Sequence, residues 1–273
     1  MTDPITHTQD DPFWRAVLSG SMRSKSWMRQ AFRLISPGAG HRCHLCWAPF
    51  EGLAAPLMRK IGRGPWRRNP RFCDECERAF REHRGGAEVE LAVLYADVRG
   101  SSQMAARMQP TEFAALMQRF FITATKVLIG NNAVIDKMVG DEVIGIFMVG
   151  MAGPNYKRDA VQAGLDLLRA TGHGDGREPW LPIGVGVHSG IAFVGSIGDD
   201  SNYEFAALGE TMNTGARLVA AAGAGELVIG EAIWPDVAQE LKAERRSLTL
   251  KGIDGPVTAH VAKIGPSTRH PRA

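Results

Sequence analysis

No uninterrupted apolar run in this chain approaches the roughly 18 residues that a membrane-crossing helix needs, so a transmembrane segment is not expected. The chain also lacks a cationic start followed by an apolar stretch and a small-residue cleavage site. That argues against secretion, and the expected location is cytoplasmic. Net charge is scarce at +3 over 273 residues, and the excess is local. Much of it lies before residue 85, in Arg15, Arg23, Lys25, Arg29, Arg33 and the stretch from Arg59 to Arg68, so an acidic partner would meet the N-terminal third. Cysteine is absent after residue 76. What is present, 44% hydrophobic and 22% charged residues, is ample for one large domain with its own core and one small one.

The four cysteines form two Cys-x-x-Cys pairs, Cys43 with Cys46 and Cys73 with Cys76, separated by 26 residues. Two such knuckles let four thiolates converge tetrahedrally on one Zn²⁺, whereas an intracellular chain has little reason to form disulfides. One structural zinc per chain is the expectation, in a zinc ribbon or treble clef over residues 41–86. The second knuckle runs into a helix start at Glu77. His41 and His44 are spare ligands beside a shell already filled by cysteine. Basic and aromatic neighbours, Trp47, Trp66 and Phe72 among them, leave the module's partner open between protein, nucleic acid and a membrane surface. Residues 1–40 read as a basic, partly helical segment in which 13–18 and 27–35 carry apolar residues that suit packing or a membrane surface. Residues 265–273 read as a disordered tail.

The remaining stretch, 87–264, carries the chemistry. An apolar run from Leu91 ends in Asp97, and a second, from Val134 to Phe147, is broken by Gly140-Asp141. Each reads as a buried strand delivering a carboxylate to its exposed end. Two such carboxylates suit two oxygen-liganded divalent cations, the equipment of phosphate chemistry. Helical spacing links Phe113, Leu116, Met117, Phe120, Ala124, Val127 and Leu128 after Pro110, and again Ala160, Val161, Leu165 and Leu168. Strands are expected at 89–97, 132–138, 142–148, 182–188 and 191–195, the last two as short strands around a glycine turn. A hairpin from Ser247 to Val261 turns at Asp254-Gly255. The order is β-α-β-β-α-β. Glu142 is expected to turn away from the Asp141 side by strand alternation, and His188 reads as structural. A turn at Leu208-Gly209 enters a helix on which Asn213 and Arg217, at i and i+4, share a face suited to a phosphate.

These motifs, in this order from about Glu90 to Ala262, resemble the catalytic domain of the class III adenylyl and guanylyl cyclases. The resemblance implies a ferredoxin-like βαββαβ palm, of α+β class, acting as a homodimer with its sites between protomers. By position it implies that Asp97 and Asp141, with the backbone at Val98, hold two Mg²⁺ or Mn²⁺. It further implies that Lys137 contacts the purine, and that Asn213 and Arg217 serve the transition state. The amides from Val98 through Gly100, Ser101 and Ser102 are placed to cradle phosphate oxygens. The implied reaction is conversion of ATP to 3′,5′-cyclic AMP and pyrophosphate.

At one position the chain departs from the family. Where a base-reading Asp or Thr usually stands, three residues before Gly209, there is Ala206, which cannot hydrogen-bond a base. Lys137 fits the adenine-type pattern, since the guanylyl cyclases usually carry Glu there. GTP or a pyrimidine triphosphate is the alternative substrate. Other readings are a diguanylate-cyclase-like enzyme, echoed by Val139-Gly-Asp-Glu-Val143, and a silent nucleotide sensor or zinc-dependent interaction protein.

Overall fold

The structure is a computed structural model and describes residues 11–21, 31–32, 34, 41–43, 45–67, 72–83, 85–174, 176–198 and 203–264. Most of the segment 27–35, His44 and the tail 265–273 lie outside the described residues. The chain divides into two compact units. One comprises Met1–Val89, Val149–Gly153 and Phe193–Ala207, the other Glu90–Met148, Pro154–Ala192 and Leu208–Ala273.

The second unit is built on a sheet. Strand β1 (Gly85–Val98) is buried on both faces from Leu91 to Ala96, as a central strand must be. It is followed by α4 (Ser101–Arg107) and α5 (Pro110–Gly130), the latter opened by a proline where no intrahelical N–H is needed. Strands β2 (Val134–Val139) and β3 (Glu142–Met148) form an antiparallel hairpin whose two-residue turn places Gly140 at φ 62°. The chain continues through α6 (Val149–Ala152), α7 (Tyr156–Ala170), β4 (Ile183–Gly198), β5 (Tyr203–Leu208) and α8 (Glu210–Ala221). It ends with β6 (Glu226–Gly230), α9 (Trp234–Val237), β7 (Glu244–Thr249) and β8 (Pro256–Lys263). The strands lie in the order β2-β3-β1-β4-β6-β8-β7, with β5 paired to β4 off that path. Its first four members carry the expected βαββαβ palm, and β7 and β8 form the expected C-terminal hairpin.

Helices α5 and α7 cover one face of this sheet, and Leu128 of α5 lies against Gly145 of β3. By length and composition α5 could also cross a membrane. Its stripe of Met117, Phe120, Ala124 and Leu128 is instead buried inside the unit. Helix α8 lies on the opposite face. A Cβ added to Gly215 would come within 2.8 Å of Val93 and Tyr95, so only glycine allows the helix this close to β1.

The two short strands expected at 182–188 and 191–195 are one strand, β4, of 16 residues. Its glycines do not make a turn; they admit a neighbour. A Cβ on Gly186 would stand 2.4 Å from the backbone nitrogen of Val219 in α8. Strands β5 and β6 are further additions to the expected set.

The first unit packs around aromatic rings. Asp11 caps α1 (Pro12–Leu18) by accepting from the Phe13 N–H at 2.7 Å. Trp14 is fully buried, stacks on Phe80 at 4.9 Å and on Phe205 at 6.0 Å, and donates its indole N–H to the His83 carbonyl at 2.7 Å. Phe72 meets Phe80 edge-on at 5.0 Å. Two short helices, α2 (Ala55–Lys60) and α3 (Asp74–Glu82), belong to this unit as well.

Candidate active site and candidate metal centre

Antiparallel pairing of β1 with β3 sets Asp97 directly opposite Glu142, and the Val98 N–H donates to the Asp141 carbonyl at 3.3 Å. The strand end and the hairpin turn thus bring Asp97 and Asp141 together, as their positions in sequence predict. Burial pushes Asp97 up to about 6; Arg99 opposes this, and the nearby Asp141 carboxylate adds to it. Two ionised carboxylates this close repel each other, and a cation between them would relieve the repulsion.

Glu142 does not turn away. Residues directly opposite in an antiparallel pair share a face, so Glu142 stands on the face of Asp97. Burial, then the charges of Asp97 and Asp141, push it up to about 7. Alternation along one strand was the wrong guide because Asp141 sits in the turn, outside the pleat.

Lys137 pairs with Ile144, which pairs with Tyr95, so Lys137 lies on this same face two strands from β1 and is partly exposed. Val98 is buried, while Gly100, Ser101 and Ser102 form the turn and first residues of α4. Gly100 takes φ 75° and its carbonyl accepts from the Gln103 and Met104 N–H groups.

Asn213 and Arg217 are both exposed on α8, two residues to either side of Gly215. Because Gly215 is the point of contact with β1, neither side chain projects into the sheet face that carries Asp97. One chain therefore assembles the carboxylates in one place and leaves the amide and guanidinium directed elsewhere. Ala206 lies on β5 in the other unit, buried beside Phe205. His188 is partly buried on β4: burial lowers its pKa, a Cβ on Gly230 would stand 2.4 Å from its Nδ1, and that buried nitrogen has no hydrogen-bond partner among the described residues.

Arg99 was not singled out by the motifs. Its guanidinium pairs with Asp97 and donates to the Ala222 carbonyl at 3.3 Å, and its backbone N–H donates to the Pro182 carbonyl at 2.8 Å. The i, i+2 spacing of Asp97 and Arg99 at a strand end is the signal that could have found it.

The four cysteines converge. All are buried, and their sulfurs lie within 4.8 Å of one another, with Cys46 and Cys73 3.6 Å apart. A tetrahedral Zn–S₄ centre has sulfur separations of about 3.8 Å, so the cluster fits such an ion. The first knuckle closes through the Cys43 N–H to Ala48 carbonyl and Trp47 N–H to Cys43 carbonyl bonds, with Trp47 at φ 67°. In the second, Cys73 precedes α3 and its N–H donates to the Cys43 sulfur at 3.3 Å. Hydrogen bonds from neighbouring thiols favour the thiolate at Cys46 and Cys73, while burial at Cys43 and thiol contacts at Cys76 push those two the other way. Four thiolates could share this space only around a cation.

A sheet of this order, with two carboxylates at one strand end, defines a cyclase-type palm, and comparison with known proteins identifies the family. The profile described as Adenylate and Guanylate cyclase catalytic domain matches residues 87–261, and the chain belongs to that family. Among solved structures, the adenylyl cyclase CyaB from P. aeruginosa superposes with a TM-score of 0.58 at 23% identity, covering 64% of this chain and 94% of that one. The guanylyl cyclase Cya2 superposes at 0.59 with 22% identity, covering 67% and 96%. In sequence, Uncharacterized protein Rv1318c of Mycobacterium tuberculosis is 29% identical over 180 residues, 63% of this chain and 32% of that protein. Uncharacterized protein Rv1320c of the same organism is 28% identical over 179 residues. The chain thus spans about a third of the length of these curated relatives.

Proposed function

We propose that this chain cyclises a nucleoside triphosphate, ATP before others, to the 3′,5′-cyclic nucleotide and pyrophosphate. The observation that carries the reading is the convergence of Asp97 and Asp141 at one strand end and hairpin turn, where the charge of Asp141 pushes the Asp97 carboxyl up. They would hold two Mg²⁺ or Mn²⁺ together with the Val98 backbone, and Glu142 adds negative charge on the same face. Those ions, when bound, supply acidity to the ribose 3′-hydroxyl and neutralise the triphosphate. Arg217 stabilises the charge that grows on the phosphoryl oxygens, Asn213 orients the ribose, and amides from Val98 to Ser102 hold phosphate oxygens. Lys137 reads the base, and Ala206 contributes no hydrogen bond to it.

The outward placement of Asn213 and Arg217 on α8 supports a site shared between two copies of the chain. One protomer would give Asp97 and Asp141, and its partner would give Lys137, Asn213 and Arg217. The four-cysteine cluster binds one structural Zn²⁺ in this reading.

Turnover of ATP, GTP, CTP and UTP with Mg²⁺ or Mn²⁺, with products separated by chromatography, is the direct test. Cyclic AMP as the main product is expected. Preference for GTP or a pyrimidine triphosphate would follow from Ala206 and replace the adenine assignment, and absence of any cyclic product would overturn the enzyme reading.

A further inference from the structure

Helix α2 is inside out for a helix on a water-facing module. It buries small residues, Ala54 and Ala55, together with Met58, and it presents Leu53, Leu57 and Ile61 to solvent. These three stand at i, i+4 and i+8, on one side of the helix and its flanking turns. Leu53 is fully exposed, and Leu57 and Ile61 are more than half exposed. Bulky apolar residues gathered this way mark a surface that meets something other than water.

The charges around the stripe say what that is. Between Gly52 and Arg67 the chain carries Arg59, Lys60, Arg63 and Arg67 and no carboxylate, and of these Arg63 is partly buried beside the cysteine sulfurs. Arg59 and Lys60 are exposed within the helix itself, and Lys60 follows Leu57 by three residues, on the same side. A second copy of the chain is a poor occupant, because a twofold contact would set these cations against themselves. Nucleic acid would reward the cations and leave three exposed aliphatic side chains without a partner. An anionic bilayer satisfies both: the aliphatic side chains enter the acyl boundary and the cations meet headgroup phosphates. We propose that the Leu53–Leu57–Ile61 stripe and its basic rim dock the N-terminal module on an anionic lipid surface.

Co-sedimentation of the full chain with vesicles tests this, using phosphatidylcholine alone and phosphatidylcholine mixed with phosphatidylglycerol. Partitioning at least about tenfold stronger onto the anionic vesicles, weakened by added salt, is expected. Leu53→Asp and Leu57→Asp should each lower it about tenfold or more. Arg59→Gln with Lys60→Gln should remove much of the salt dependence. Leu53 makes no intramolecular packing to lose, so Leu53→Asp leaves the fold intact, which circular dichroism checks. Equal partitioning onto neutral vesicles, no partitioning, or unchanged partitioning of Leu53→Asp would each overturn the proposal. So would failure with vesicles alongside Leu57-dependent retention of RNA or of an acidic polypeptide.

Discussion

Replacing Glu142 by glutamine should stabilise the protein in the absence of divalent ions, although it removes an acidic group from the candidate active site. In the folded chain Glu142 is pushed up to about 7 by burial and by the charges of Asp97 and Asp141, against an ordinary value of 4.5. A raised carboxyl favours the folded state when protonated. Its contribution is therefore present at low pH and is lost as pH rises from about 4.5 through about 7. Taken at face value the shift amounts to about 3 kcal/mol of destabilisation above pH 7. Glu142 is only about half buried, so solvent screening leaves about 1–2 kcal/mol. Glutamine keeps the shape and removes the charge. For a domain of this size that gain should raise Tm by about 2–8 °C at pH 8 and by little at pH 5. Thermal unfolding of both proteins in EDTA at the two pH values is the assay. Mg²⁺ or Mn²⁺ at pH 8 should raise the Tm of the wild type more than that of Glu142→Gln. If the variant is no more stable at pH 8, or gains equally at both pH values, the cross-strand placement of Glu142 with the two aspartates does not carry the electrostatics assigned to it.

Mixing inactive Asp97→Ala with inactive Arg217→Ala should restore activity in heterodimers, to about half of wild type per heterodimer, because one of the two sites is intact. Persistent inactivity after crosslinking has shown subunit exchange would place the site within one chain. Metal analysis of protein purified without added zinc should give about one Zn²⁺ per chain, and Cys73→Ser should lower both the zinc content and the thermal stability; freely titrating thiols in the folded protein would refute the cluster. Trp14→Ala should cost about 3–5 kcal/mol in urea unfolding of the unit that contains it, since the indole is fully buried and its N–H satisfies the His83 carbonyl. A loss below about 1 kcal/mol would mean that α1 is not integral to that core.

How far the sequence revealed this fold follows from which interactions are local. The run from Leu91 to Ala96 announces a strand buried on both faces, the stripe from Met117 to Leu128 announces a helix, and Gly140-Asp141 announces a tight turn; each needs only neighbouring residues to be read. The convergence of Asp97 and Asp141 was legible for the same reason, because a strand end and a hairpin tip are local features that one pairing brings together. Strand β4 was misread because glycine has two uses that a sequence does not distinguish. In Gly184-Val-Gly-Val-His-Ser-Gly190 it suggests a turn, whereas the requirement at Gly186 is room for the backbone of α8. Only the packed helix shows which use applies.

Glu142 was hidden by register. Strand alternation says which residues of one strand share a face, and it says nothing of which residue of the next strand stands opposite; the pairing of Asp97 with Glu142 had to be observed. Phe205 was hidden by distance along the chain. Nothing near Tyr203-Glu-Phe-Ala206 in sequence hints that its ring stacks on Trp14 and Phe80, nor that the segment 193–207 belongs to the same compact unit as the cysteine cluster. That membership has a physical consequence, since Phe72 precedes Cys73 and Phe80 lies one turn beyond Cys76 on α3. The rings that hold Phe205 are therefore attached to the second cysteine knuckle itself. An ion that fixes this knuckle also fixes those rings, and through Phe205 it fixes the strand that carries Ala206. The cysteine cluster and Ala206 thus belong to one packed unit, although the sequence presents them as two segments more than a hundred residues apart.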